Sequence, residues 1–244
     1  MGTTPSVEQQ QVPRTTISSA ALQTPAFVRL QGKRVVLASG SPRRAELLAS
    51  VGVHPEVVPS TFAEDLDKTE FADERIYEYP VATASHKAVE VYERLVRATP
   101  ADPPDLVIGA DTVLVHDGQV LEKPHDAADN FRVLADLCGK SVAVITGVAL
   151  VHPILAAPGF KVRTVAERTE VHFADTPHDV LRAYVASGEG ADRAGGFAIQ
   201  GRGALLVRGI EGDFANVVGF PLYSVFALLH ELVVNEELDL EGTD

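Results

Sequence analysis

The chain has 244 residues, 45% of them hydrophobic but none of them tryptophan, enough for a substantial core built from Leu, Val, Ala and a few Phe. Its formal net charge of −13 argues against broad, non-specific binding of DNA or RNA, yet leaves room for a small anion held by local cations. The single cysteine, Cys138, has no intramolecular disulfide partner, so a cytoplasmic location is expected, and no apolar run reaches the ~20 residues of a transmembrane helix.

Residues 1–31 are rich in Ser, Thr, Gln and Pro without a sustained apolar period, and read as a disordered tail ahead of one domain over 32–235. The stretch lacks the basic start and apolar centre of a secretory signal and is poor in Arg for a mitochondrial presequence. Gly2 and Ser6 match the short myristoylation pattern. Strand and helix signals then alternate. "RVVLAS" is a β-branched run, followed by a helix from Pro42 to about Val51, and "PEVVPS" reads as a second strand. Residues 76–96 carry apolar side chains at helical spacing, with Pro80 beginning or interrupting the helix. "DLVIGADTVLVHDGQVL" reads as a strand, a functional turn, and a hairpin through Asp117-Gly118. A helix over 126–137 is closed by Gly139.

"SVAVITGVALV" and "KVRTVAERTEVHFA" read as long strands, the second with Val165, Thr169, Val171 and Phe173 on one face of a half-exposed sheet. Thr176-Pro177 opens another helix, "GALLVRGIEGDFANVV" reads as strand, turn and strand, and 221–234 as a final helix. The acidic stretch 236–244 reads as a frayed tail. The whole is an α/β protein with a mixed sheet.

Several short stretches carry candidate chemistry. Ser41 and Pro42 suit the N-cap and first position of a helix, and a helix N-terminus attracts anions. Arg43 and Arg44 in that first turn oppose the helix dipole by about 0.3–1 kcal/mol each. A bound phosphate would reverse the sign, whereas pairing with Glu46 or bending into solvent would merely relieve it, and the stretch alone leaves both open. Asp111 closes an apolar run beside a glycine, where a carboxylate serves as metal ligand, general base or simple turn former. Glu64, Asp65 and Asp67 form an acidic cluster, which is most often solvated surface, and Lys87 and Lys123 read by default as exposed lysines. Gly195, Gly196, Gly201 and Gly203 surround Gln200, whose amide pairs a donor with an acceptor as base recognition requires. There is no GxxxxGK[ST] loop, no GxSxG elbow and no zinc-like histidine spacing.

In their order, "ASGSPRRAELL", "SHKA", "IGADTVL", "LEKP", "ITGVAL" and "GGFAIQGRGALLV…GDFANVVGFPL" resemble the Maf family of nucleotide pyrophosphatases, from about Arg34 to Leu232. The resemblance implies a two-lobed α/β fold with a central nucleotide-binding cleft, akin to inosine triphosphatase, and a homodimer. It implies that Ser39, Arg43 and Arg44 contact triphosphate, that Glu64 binds metal, and that Asp111 is the proton acceptor and shares the metal. Lys87 and Lys123 match the family lysines that stabilise developing charge, and Gln200 the polar residue of the glycine-rich turn. Arg43, Thr112 and Gln200 together look like the subgroup acting on dTTP and UTP, whereas the subgroup acting on 7-methyl-GTP tends to carry Trp, Gln and Glu there.

The implied reaction is hydrolysis between the α- and β-phosphates, with Mg²⁺ or Mn²⁺, giving a nucleoside monophosphate and pyrophosphate. Two other readings use the same residues: a house-cleaning pyrophosphatase for modified nucleotides, and a regulatory nucleotide-binding module without relevant turnover. The chain departs from the family pattern "EPxDKAGxYxIQ" at Gly190, Arg193 and Phe197.

Overall fold

The computed structural model describes residues 16–71, 73–154 and 159–238. Its centre is a mixed sheet of β1 (Val35–Leu37), β2 (Glu56–Val57), β3 (Leu106–His116), β4 (Gln119–Leu121), β5 (Ser141–Pro153), β6 (Phe160–Phe173) and β7 (Val207–Glu211). The order is β2-β1-β3-β5-β6-β7, with β4 also on β3. The β1–β2 and β1–β3 pairs are parallel and the others antiparallel. β1 is buried on both faces, as a short parallel strand of Val and Leu should be. On β6, Thr169, Val171 and Phe173 turn inward while their neighbours stay wetter, so that part of the strand alternates.

Helices cover both faces. α3 (Glu78–Ala98) lies along one face, and Pro80 falls in its first turn, where a missing N–H costs nothing. α1 (Pro25–Leu30), α2 (Pro42–Ser50) and α7 (Leu222–Val234) belong to the other face, as do α4 (Ala127–Leu137) and α5 (His178–Ala186). On that second face, side chains of equal parity divide into two apolar clusters. Ile108, Ala110, Val148 and Leu150 join the first, with Leu48 and Leu229. Leu114, Val142 and Val144 join the second, with Leu134 and Leu181. Between them lie Thr112 and Thr146, opposite each other in register and hydrogen-bonded through their hydroxyls at 2.9 Å. The two lobes meet at this polar seam.

The face under α3 has a matching break. A Cβ added at Gly109 would sit 2.2 Å from the Ala84 carbonyl oxygen, and one at Gly147 would sit 2.3 Å from the Val81 nitrogen. Glycine at these two positions lets α3 lie directly on the sheet. Asp111 stands opposite Gly147 in the β3–β5 register.

The expectations need four corrections. β3 runs unbroken through Asp111, so there is no turn there; pairing with β5 along 107–115 holds the carboxylate inside the strand. "DFANVV" forms a short helix, α6 (Phe214–Val218), not a strand, because the Asp213 side chain caps it by accepting from the Ala215 amide. The tail assigned to 1–31 extends too far. Ile17 bridges Val53, and α1 buries Ala26, Phe27 and Leu30 in the first cluster; residues 1–15 lie outside the described residues. The acidic tail likewise begins later than 236: Leu238 is buried, and Glu237 pairs with Arg163 at 2.8 Å. Its remainder, 239–244, lies outside the described residues. Among the described residues, no helix is long and apolar enough to cross a membrane.

Candidate active site

β3 has an open edge at its centre. The β1 pairing ends at Ile108 and the β4 pairing starts at Leu114, so 109–113 have a strand partner only on the β5 side. A cleft of about 840 Å³ opens there between the lobes. Ser39, Arg43, Arg44, Glu64, Lys87, Asp111, Thr112, Lys123 and Gln200 all line it. The fold thus gathers nine residues that lie between positions 39 and 200 of the sequence.

One wall is the turn from β1 into α2. Ser41 occupies the N-cap position and Pro42 the first turn, but the Ser41 side chain makes no capping bond and the turn contains no acid. Its first amides are therefore left without a side-chain cap. The Ser41 amide donates instead to Ser39 Oγ at 3.2 Å. Arg44 turns inward. It donates from Nε to the Gly219 carbonyl (2.9 Å), from Nη1 to Ser39 Oγ (2.9 Å) and from Nη2 to Thr112 Oγ1 (3.1 Å). Burial pushes its pKa below the usual arginine value; Asp111 and Glu64 oppose that shift, and Arg43 reinforces it. Arg43 has no ion pair with Glu46 or any other carboxylate among the described residues. Burial lowers its pKa most, and the nearby charge of Arg193 lowers it further.

The other wall lies under α3. Lys87, almost fully buried, places Nζ 2.9 Å from Asp111 Oδ1 and 2.8 Å from Glu64 Oε1. Helical spacing on α3 and the close approach at Gly109 and Gly147 bring the ammonium to the strand. Glu64 reaches it from an irregular stretch and adopts φ 47°, a left-handed conformation unusual for a side-chain-bearing residue. That stretch is anchored by Glu90, which accepts from Ser60 Oγ (2.8 Å), the Thr61 amide (3.0 Å) and Arg94 Nε (2.7 Å). Burial works to raise the Glu90 pKa, but these hydrogen bonds outweigh it and hold it down to about 2.

The remaining lining is less tightly tied. Lys123 is exposed after β4 and has no side-chain partner among the described residues. Gln200 is exposed at the start of the Gly201–Leu206 turn, which Glu189 steadies by accepting from the Arg202 and Gly203 amides at 3.1 and 2.9 Å. Sequence reasoning missed Lys68, Glu122, Tyr79 and the Gly219 carbonyl. Lys68 pairs with Glu122 and lies 5.4 Å over the Tyr79 ring, yet in the sequence it is merely the end of an acidic cluster. Gly219 follows a stretch that reads as strand.

Of the departures, Gly190 is explained by contact: a Cβ there would come within 1.9 Å of the Gly196 carbonyl oxygen. Phe197 is buried edge-on against Phe173 with centroids 4.9 Å apart, a site that suits an apolar ring.

The expected metal position is a pair of carboxylates. Lys87 takes one oxygen of each, and the second oxygens of Glu64 and Asp111 have no protein partner among the described residues. Among the described residues, no group of three His, Cys, Asp or Glu side chains is placed to hold an ion. This donor set fits Mg²⁺ or Mn²⁺ shared with phosphate oxygens, and does not fit an all-protein cage.

Residues 34–232 match the family described as Maf-like protein. The chain is 40% identical to a dTTP/UTP pyrophosphatase of Schizosaccharomyces pombe, over 91% of this chain and 93% of that protein. It is 43% identical to a dTTP/UTP pyrophosphatase of Deinococcus radiodurans, over 80% of this chain and 91% of that protein. A human protein described as a probable bifunctional dTTP/UTP pyrophosphatase/methyltransferase is 47% identical over 81% of this chain, which spans only 32% of the human protein's length. From its motifs, its cleft and these matches, the chain belongs to the Maf family.

Proposed function

We propose that the chain hydrolyses dTTP and UTP at the α–β phosphoanhydride, releasing the nucleoside monophosphate and pyrophosphate. The observation that carries this reading is the meeting of Glu64, Lys87 and Asp111 on one side of the open β3 edge with Ser39, Arg44 and Thr112 on the other. Relatives named as dTTP/UTP pyrophosphatases supply the substrate, and the Arg43, Thr112 and Gln200 set agrees with it.

Asp111 has one oxygen held by Lys87 and one free, in a side chain only 13% exposed. The Asp111 carboxylate takes a proton from a water aimed at the α-phosphorus; the new P–O bond forms as the bond to the bridging oxygen breaks, and pyrophosphate leaves with that electron pair. Lys87 holds the Asp111 carboxylate in place. Arg43, Lys123 and the first amides of α2 stabilise charge building on the leaving group. Arg44 acts mainly from behind: its bonds to Ser39, Thr112 and Gly219 fix the wall of the cleft and keep its charge next to the reacting phosphate. A divalent cation held by Glu64 and Asp111 together with phosphate oxygens would neutralise phosphate charge.

The paired cations and carboxylates favour turnover over a pure binding module, which has no use for a water-positioning acid. The homodimer belongs to the same proposal and rests on the family resemblance, with light scattering as its test. The function is tested by pyrophosphate release from a panel of dTTP, UTP, the other common triphosphates, modified triphosphates and 7-methyl-GTP. Fast release from dTTP and UTP is expected. Preference for a modified base would move the substrate to the house-cleaning reading, and no release from any member would leave a binding module.

A further inference from the structure

The cations that line the cleft differ in what they have left to give. Lys87 is shared by two carboxylates, Lys68 is paired with Glu122, and Arg44 is engaged by Ser39, Thr112 and Gly219. Around Asp111 the charges therefore balance: Glu64 and Asp111 against Lys87 and Arg44. Arg43 and Arg193 are different. Neither has a hydrogen-bonded carboxylate among the described residues, both line the cleft, and the charge of Arg193 lowers the Arg43 pKa.

Arg193 is held rigidly at its backbone. Its amide donates to the Gly190 carbonyl at 3.1 Å, and its carbonyl accepts from the Gly196 amide at 3.0 Å. Its side chain is 23% exposed, and its Nε is buried without a hydrogen-bond partner. The nearest carboxylate oxygen belongs to its neighbour Asp192, at 3.4 Å and on a side chain that is 77% exposed. A buried N–H donor with no acceptor is costly, and so is a second guanidinium charge in the same cleft. Both costs vanish when a multi-oxygen anion lies between the two forks, because each guanidinium presents donors in a plane that matches phosphate geometry.

We infer that Arg193 is a substrate-binding residue which, with Arg43, grips the pyrophosphate half of the triphosphate. The end of the substrate with the most negative charge goes to the part of the cleft whose guanidinium groups have no hydrogen-bonded carboxylate, while the α-phosphorus stays at the balanced centre by Asp111. This inference rests on the proposed triphosphate hydrolysis and adds a role for a residue outside the nine expected from sequence.

The test uses the full chain with Arg193→Gln and Arg193→Lys, titrated calorimetrically with inorganic pyrophosphate and with dTMP, beside steady-state kinetics on dTTP and a thermal unfolding control. Arg193→Gln should weaken pyrophosphate binding and raise the KM for dTTP by about 10- to 100-fold, as loss of a charge-assisted bond does. Affinity for dTMP should stay within about twofold, and Arg193→Lys should recover only part of the loss, because it keeps the charge but not the planar fork. Wild-type affinity for pyrophosphate in a folded Arg193→Gln variant overturns the inference, as does an equal loss for dTMP. Should wild-type protein release no pyrophosphate from any triphosphate, the hydrolytic reading fails on that result alone. The pyrophosphate titration would still decide Arg193.

Discussion

Gly147→Ala tests whether the close seat of α3 on the sheet makes the site. The added Cβ would lie 2.3 Å from the Val81 nitrogen, 2.4 Å from the Pro80 carbonyl carbon and 2.6 Å from its oxygen. All three are backbone atoms of α3, so no rotamer change relieves the clash. Restoring ordinary contact near 3.4 Å lifts this end of the helix by about 1 Å. Lys87 rides on that helix, and its 2.9 Å bond to Asp111, the residue directly opposite Gly147, then exceeds hydrogen-bond range. Overpacking of this kind costs about 1–3 kcal/mol, and each kcal/mol lowers Tm by about 2–4 °C in a chain of this size.

A displacement of about 1 Å in a catalytic group costs about 10²-fold in rate. The assay is kcat for pyrophosphate release from dTTP, measured well below the variant's Tm. Gly209→Ala is the control, since a Cβ there meets nothing within 4 Å. A folded Gly147→Ala protein with wild-type kcat and Tm would refute the link between helix seating and the Lys87–Asp111 contact.

Other variants address the remaining parts of the cleft. Thr146→Val removes the hydroxyl that bonds Thr112 at 2.9 Å in the seam between the lobes; a loss of about 1–3 kcal/mol in urea unfolding is expected, with a raised KM for dTTP, and Thr146→Ser should restore both. Lys87→Met leaves Glu64 and Asp111 without their shared cation and should cut kcat by about 10²- to 10³-fold, so a value within tenfold of wild type removes Lys87 from the mechanism.

Glu90 tests the anchor of the Glu64 stretch by pH. Its pKa, held down to about 2 from 4.5, means that its contribution to stability is complete above the unfolded value and is lost as pH falls from 4.5 towards 2. Urea midpoints measured across that window should fall less steeply for Glu90→Gln than for wild type, and equal slopes would show that Glu90 carries none of the acid sensitivity.

Much of the fold is written locally. The run from Val35 into Pro42 signals a strand and a helix start, and the helix over 126–137 carries its cap in Asp126, which accepts from the Asp129 amide at 2.8 Å. Local pattern fails where partners at long range decide. "FANVV" is a short apolar run that fits strand or helix equally, and the Asp213 cap settles it. The polar composition of 16–31 hides three anchors, Ile17, Phe27 and Leu30, whose burial depends on α7 and β1. Asp111 is legible as an odd residue in an apolar run, but not as one inside a continuous strand, because only the β5 register holds it there.

The site follows the same division. Candidate side chains stand out by type and motif, whereas their division of labour is tertiary. Arg43 and Arg44 are adjacent in sequence and equal by motif. Arg44 points into the seam and is consumed by Ser39, Thr112 and Gly219, while Arg43 stays available in the cleft. Arg193 reads only as a substitution until the fold brings it to the same cleft as Arg43. Lys87 reads as an exposed helix lysine until α3 is set on Gly109 and Gly147.

The most direct test of the account is Asp111→Asn assayed for pyrophosphate release from dTTP with Mg²⁺ and with Mn²⁺, alongside dTTP binding. Loss of a positioned general base predicts a fall in kcat of about 10²- to 10⁴-fold, with dTTP affinity within a few-fold of wild type because the cations of the cleft remain. Turnover within tenfold of wild type in the folded variant would contradict the assignment of Asp111 and the mechanism built on it.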